Sequence, residues 1–164
     1  MCYTDDNEYI EQTVKKYSAS MLKTAFSLLK STSDAEDAVQ EAFIKLITKA
    51  PEFENEEHRK AWLLRVTVNI SKNMLKSAKR KNLPLTEEIP YVEKNENVLP
   101  YVMSLDEKYR VVIHLYYYEN YTIKEIAEIV SLPCATVGTR LARARKLLKK
   151  LLKEDFDNEL SGKV

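Results

Sequence analysis

The sequence predicts an all-α protein built as two small helical domains joined by a flexible acidic linker, the second domain a helix-turn-helix. Three observations carry this. Apolar residues recur at helical spacing through almost all of the 164-residue chain. Only 2 glycines are present, too few for tight-turn β architectures, collagen-like repeats or glycine-rich phosphate loops. The helical pattern is broken at length once, by residues 82–98, which hold Pro84, Pro90 and a surplus of acid. The expected organisation is a domain over 1–81, a linker over 82–98 and a domain over 99–164.

The first helix is read from Glu8 to Leu29, with Ile10, Val14, Tyr17, Met21, Leu22, Ala25, Phe26 and Leu29 inward. Ser33 and Glu36 have the spacing of a capping box and open a second helix. Its apolar stripe is Ala35, Ala38, Val39, Ala42, Phe43, Leu46 and Ile47, and Pro51 closes it. A third helix runs from about Glu57 to Arg80. After the linker, a short helix is expected near Asn95–Ser104. Another follows from Asp106 to about Glu119, with Val112, Ile113, Leu115 and Tyr116 inward. Asn120 and Tyr121 make a turn, and Thr122 with Glu125 caps a helix to Val130. Ser131-Leu132-Pro133 is a tight turn. The last helix starts near Cys134 and reaches about Lys153, with a fraying acidic tail.

Composition narrows the function. The net charge of +1 names no partner. No apolar run approaches the roughly 18 residues of a membrane span, and the start lacks the basic and apolar parts of a signal peptide. A cytoplasmic protein is expected. Cys2 and Cys134 lack the paired spacing of a zinc site, and His58 and His114 have no partner at ligand spacing. All four read as incidental, with no metal and no cofactor. No nucleophile–base pair or phosphate loop points to an enzyme.

Charge is strongly segregated. Residues 59–81 carry 8 basic groups and no acid, and residues 138–153 carry 7 and none. Residues 51–58 (PEFENEEH) carry 4 glutamates. Two basic blocks suggest two contacts with one polyanion. The alternative is two solvated helix faces, which the lack of acids for i,i+4 pairing weakens.

On the first basic helix, Arg65, Asn69, Lys72, Asn73, Lys76, Lys79 and Arg80 fall within an arc of about 120°. Leu63, Ile70, Met74, Leu75 and Ala78 lie opposite. Cations supply affinity for phosphate, and amides can read base edges. Trp62 lies on the cationic side, where it either stacks on an unpaired base or packs against a neighbouring helix. In the helix-turn-helix, Ile123, Ile126, Ala127 and Val130 can pack on Val137 and Leu141. Thr139 and Arg143 are then placed for base edges, and Thr136, Arg140, Arg145 and Lys146 for phosphates. A solvated bundle helix is the competing reading.

Three segments together resemble the extracytoplasmic-function sigma factors, small two-domain bacterial RNA polymerase subunits. SDAEDAVQEAFIKL (33–46) resembles the family's core-polymerase-binding helix, with Asp37, Gln40, Glu41 and Ile44 off the apolar stripe and matching that motif. KAWLLRVTVNISKNMLKSAKR (60–80) resembles the helix that recognises and helps open the −10 element. Residues 105–148, from LDEKYR to ARKLL, resemble the domain that binds the −35 element. The resemblance implies that core RNA polymerase and promoter DNA are partners, and that an anti-sigma factor, often membrane-anchored in relatives, gates activity in response to an envelope or environmental signal. It also implies that loop 51–58 holds a flipped base and sets −10 preference; on charge alone, its four glutamates are expected to repel phosphates, so that only a well-placed base edge is tolerated. The linker would thread the polymerase's RNA channel. The chain departs from the family at Gly138, where members often carry Arg or Lys, and at Asn73, where aspartate is frequent. No further domain is expected between or after the two. A stand-alone helix-turn-helix regulator would leave helix 33–50 and the first basic helix unexplained. A helical protein–protein adaptor would show only weak, nonspecific DNA affinity.

Overall fold

The computed structural model describes residues 3–81 and 98–161. Cys2 and all but the last residue of the expected linker lie outside them. All regular structure among the described residues is helical: α1 (Tyr3–Leu29), α2 (Thr32–Lys49), α3 (Glu56–Arg80), α4 (Leu99–Ser104), α5 (Glu107–Ile113) continuing into a π-helical turn (His114–Tyr118), α6 (Ile123–Val130) and α7 (Cys134–Ser161). Two compact units result. One is built on α1–α3; the other on α4, α5, the π-turn, α7 and most of α6.

In the first unit each helix packs on the other two. Met21, Ala25, Ala38, Ala42, Leu63, Leu64 and Val68 are fully buried, and large apolar side chains of this kind stabilise by about 1.5–3 kcal/mol each. Small residues on α2 let its axis approach its neighbours. The buried hydroxyls of Thr13, Thr24 and Thr67 are satisfied locally, each donating to the carbonyl four residues earlier at 2.7–2.8 Å.

The connections are tight although glycine is scarce. α1 ends at Lys30 in the left-handed region (φ 51°), whose N–H reaches the Phe26 carbonyl at 2.9 Å. Ser31 then caps α2, accepting from the Asp34 N–H at 3.2 Å. The cap therefore lies two residues before the expected Ser33, because the left-handed residue reverses the chain at once. Ala50 (φ 40°) ends α2 just before Pro51.

In the second unit α5 packs on α7 and α4, and α4 on α7. Buried Arg110 donates to the Leu105 carbonyl and fastens α5 to the end of α4. The expected helix 106–119 is present, but its last turn widens to π geometry, the Glu119 N–H reaching back to the His114 carbonyl at 3.2 Å. Asn120 (φ 59°) makes the following turn. The Thr122–Glu125 capping box forms as expected: Glu125 accepts from the Thr122 N–H at 2.8 Å, and Thr122 accepts from the Glu125 N–H at 3.3 Å. α6 ends at Ser131 (φ 56°), with the Leu132 N–H on the Ala127 carbonyl at 3.0 Å. Ile126, Val130, Val137 and Leu141 are buried as expected, while Ile123 stays partly exposed. The tail does not fray at Lys153: α7 continues to Ser161, supported by a Lys150–Glu154 pair (3.9 Å) and by the Tyr101 hydroxyl on Asp155.

Candidate functional site

On α2, Asp37, Gln40, Glu41 and Ile44 are all exposed. Ile47, expected in the core, is exposed as well, at 55%, beside Ile44 at 58%. Its place at the edge of the stripe puts it one turn from Ile44 on the same face. The face is thus acidic with an exposed apolar pair.

On α3, Arg65, Asn69, Asn73, Lys76, Lys79 and Arg80 are exposed and Lys72 is half-buried, while Leu63, Ile70 and Leu75 are buried opposite. The helix therefore presents the cation-and-amide face that its period predicts. Trp62 is half-buried and meets the Phe53 ring edge-on, with centroids 5.6 Å apart.

The loop before α3 is built more closely than the sequence suggests. Asn55 caps α3 by accepting from the His58 N–H at 2.8 Å. The His58 ring accepts from the Glu54 N–H through Nδ1 at 3.2 Å and meets Phe53 edge-on, centroids 5.5 Å apart. Glu56, one of the four glutamates, is charge-compensated. It accepts from the Tyr17 hydroxyl and pairs with Lys16 at 3.1 Å and Arg59 at 2.6 Å. The Tyr17 hydrogen bond, then Lys16, hold the Glu56 carboxyl below the usual carboxylate range. In return Glu56 raises Lys16, and burial with the same carboxylate raises Tyr17. Arg59 lies over the rings of Tyr9 (4.6 Å) and Phe53 (5.8 Å). Neither Glu56 nor His58 stands out in sequence, because the partners of Glu56 lie about 40 residues away on α1 and the role of His58 depends on loop geometry.

On α7, Thr139, Arg143 and Lys146 are exposed and Thr136 and Arg140 half-buried. Thr136, Thr139, Arg140 and Arg143 line one groove of about 360 Å³, completed from α5 by Lys108 and Tyr109. Sequence gives no signal for the last two, since Lys108 and Tyr109 lie in a segment of mixed charge, outside the two basic blocks. The Thr139 hydroxyl donates to the Ala135 carbonyl at 2.9 Å, which leaves its oxygen free to accept. Arg145 departs from this set. Its Nε donates to the Tyr117 hydroxyl at 2.7 Å, and its guanidinium lies over Tyr116 (5.1 Å) and Tyr117 (5.6 Å). The Tyr117 hydrogen bond raises its pKa further. It lines a second, apolar groove with Val102, Tyr118, Leu148 and Leu152. Cys134 is exposed and free. Among the described residues no group of three or more acidic, histidine or cysteine side chains could hold a metal ion, and no helix is long and apolar enough to cross a membrane.

The family model of sigma-70 region 2 matches residues 13–81, and that of sigma-70 region 4 matches residues 97–148. The RNA polymerase sigma factor SigV of Bacillus subtilis is 31% identical over 142 residues, spanning 82% of this chain and 86% of SigV. The ECF RNA polymerase sigma factor SigW of the same organism is 27% identical over 172 residues, 91% of each chain. Among solved structures, the sigma factor RpoE of Bartonella quintana, in complex with the anti-sigma factor NepR, superposes with a TM-score of 0.74 at 23% identity, covering 87% of this chain and 96% of RpoE.

Proposed function

The chain belongs to the extracytoplasmic-function sigma factors, promoter-recognising subunits of RNA polymerase, and from that premise we propose how its parts divide the work. Residues 1–81 bind core polymerase and the −10 element, 82–98 connect, and 99–164 bind the −35 element. The exposed acidic face of α2 (Asp37, Gln40, Glu41, Ile44, now joined by Ile47) docks on the polymerase.

The cationic face of α3 meets the −10 region through Arg65, Asn69, Lys72, Asn73, Lys76, Lys79 and Arg80. Opening DNA there takes a base out of the stack, which costs a few kcal/mol. Cations on the displaced strand and the partly exposed Trp62 beside it offset that cost. Loop 51–58 receives the base and sets −10 preference. Its Glu56 serves as an anchor to α1, so phosphate repulsion falls to Glu52, Glu54 and Glu57.

On the −35 side, Thr139 and Arg143 read base edges, and Thr136, Arg140 and Lys146 hold phosphates, assisted by Lys108. Arg145, committed to Tyr116 and Tyr117, secures the π-turn and is at most a secondary phosphate contact. The protein acts as a binding subunit and not as an enzyme, in the cytoplasm, where the polymerase is. A partner of the anti-sigma kind, as NepR is for the Bartonella RpoE, holds it until a signal arrives.

One observation carries this reading. Two separate units each present an acid-free basic helix face, and each matches its own sigma region in the expected order. The test is run-off transcription with purified core polymerase on genomic fragments that include the protein's own upstream region. A discrete start site that requires the protein supports the assignment. Absence of any complex with core polymerase overturns it.

A further inference from the structure

We propose that His58 is a positioning residue for −10 selection: its ring nitrogen Nδ1, by accepting the Glu54 N–H, fixes the loop that receives the base. The inference rests on the reading above, in which loop 51–58 sets −10 preference.

Several contacts converge on this side chain. Asn55 at the N-cap accepts from the His58 backbone N–H at 2.8 Å, and Nδ1 of the same residue accepts from the Glu54 N–H at 3.2 Å. The Phe53 ring stands on the His58 ring at 89°, centroids 5.5 Å apart. Three successive loop residues, 53, 54 and 55, are therefore tied to one residue of the first turn of α3.

The chemistry has a recognisable logic. A helix start leaves backbone N–H groups without partners. In a capping box the third helical residue, usually Glu or Gln, reaches back to the N–H of the cap. Here the third residue is histidine, and it reaches one residue further, to the N–H before the cap. Its hold thus extends from the helix into the loop. A neutral imidazole that accepts at Nδ1 carries its proton on Nε2.

The loop is braced from the other side too. Phe53 also meets Trp62 and lies under Arg59, which Glu56 and the Tyr9 ring hold in turn. Loop position is thereby referred to α1 and α3, and the His58 ring supplies the polar link to the Glu54 backbone in that chain. His58 is itself exposed, and the fully buried part of α3 begins at Leu63. Its loss opens no cavity, so a change in base preference can be separated from a change in stability.

The experiment uses full-length protein with core polymerase and a promoter pool randomised across the −10 element. Initiating templates are sequenced for wild type, His58→Phe and His58→Gln. Phe keeps a ring for Phe53 but has no acceptor; Gln keeps an acceptor at the capping position but has no ring. His58→Phe is expected to lower discrimination between the favoured and disfavoured −10 base by about threefold to tenfold, the scale of one neutral hydrogen bond. His58→Gln is expected to retain the wild-type profile. Core binding and −35 preference should be unchanged in both. The proposal is overturned if the two variants give the same −10 profile, or if Gln is the one that loosens selection.

Exchange of loop 51–55 for a relative's, run in parallel, separates the two levels. If the exchange leaves −10 preference unchanged, the loop assignment itself falls. If the exchange shifts preference while the His58 pair fails to split, only the role of His58 falls.

Discussion

At the start of α3, Glu56 alone engages Tyr17, Lys16 and Arg59, and His58 and Asn55 close the loop onto the helix. At the start of α7 the arrangement is different. Thr139 turns its hydroxyl onto its own helix, while Arg143 and Lys146 stand exposed. What fixes α7 lies behind it, in buried Val137, Leu141 and Ala144. Under the proposed roles, the contrast follows from what each helix has to do. A helix that reads an intact groove needs only a firm back and long cations in front. A loop that accepts an extruded base needs its own backbone held in place, because the pocket is made from it.

The largest test of this contrast is Leu141→Ala. Removing a fully buried leucine from behind α7 should cost about 2–5 kcal/mol. Thermal denaturation should show the second unit melting first, with −35 binding lost and core binding through α2 kept. Next come the two cationic faces. Arg143→Ala should cost about 1–3 kcal/mol and relax preference at one −35 position. Lys76→Ala should weaken binding evenly across sequences and lower the salt slope by about 1. Equal loss of sequence preference from both would erase the distinction between reading and holding.

A smaller effect is expected at Gly138. A Cβ built there meets nothing within 4 Å, so Gly138→Ala should stabilise the second unit by about 1 kcal/mol, seen as a higher melting temperature without a change in −35 preference. The smallest concerns Glu56, whose pKa is lowered by Tyr17 and Lys16. Its contribution is present above the ordinary value of 4.5 and is lost as pH falls through the lowered one. The pair is half exposed, so Glu56→Gln should cost only about 0.5 kcal/mol near neutrality. Wild-type and variant melting temperatures should converge on acidification.

Much of this was legible in sequence, for identifiable reasons. The Thr122–Glu125 box and the basic faces are local patterns of period and spacing, and they appear where the spacing puts them. The cap of α2 is ambiguous in sequence because three hydroxyl residues, Ser31, Thr32 and Ser33, compete, and the left-handed Lys30 decides among them. The π-turn escaped notice because one widened turn hardly alters apolar periodicity. The helical tail is not legible from composition, which does not reveal that Tyr101 reaches Asp155. Ile47 fits the stripe by spacing, and only the packed helices show that their contact ends before it. His58 has no ligand partner at sequence spacing, and its real partners are a backbone N–H and a phenyl ring.

In the proposed reading, two separately built surfaces read two separate promoter elements. The most direct measurement is sequencing of initiating templates from a pool randomised across both elements, with wild type and with Arg143→Ala. Wild type should give two sequence blocks, and the variant a blurred −35 block with an intact −10 block. A single block in wild type, or equal blurring of both in the variant, would contradict it.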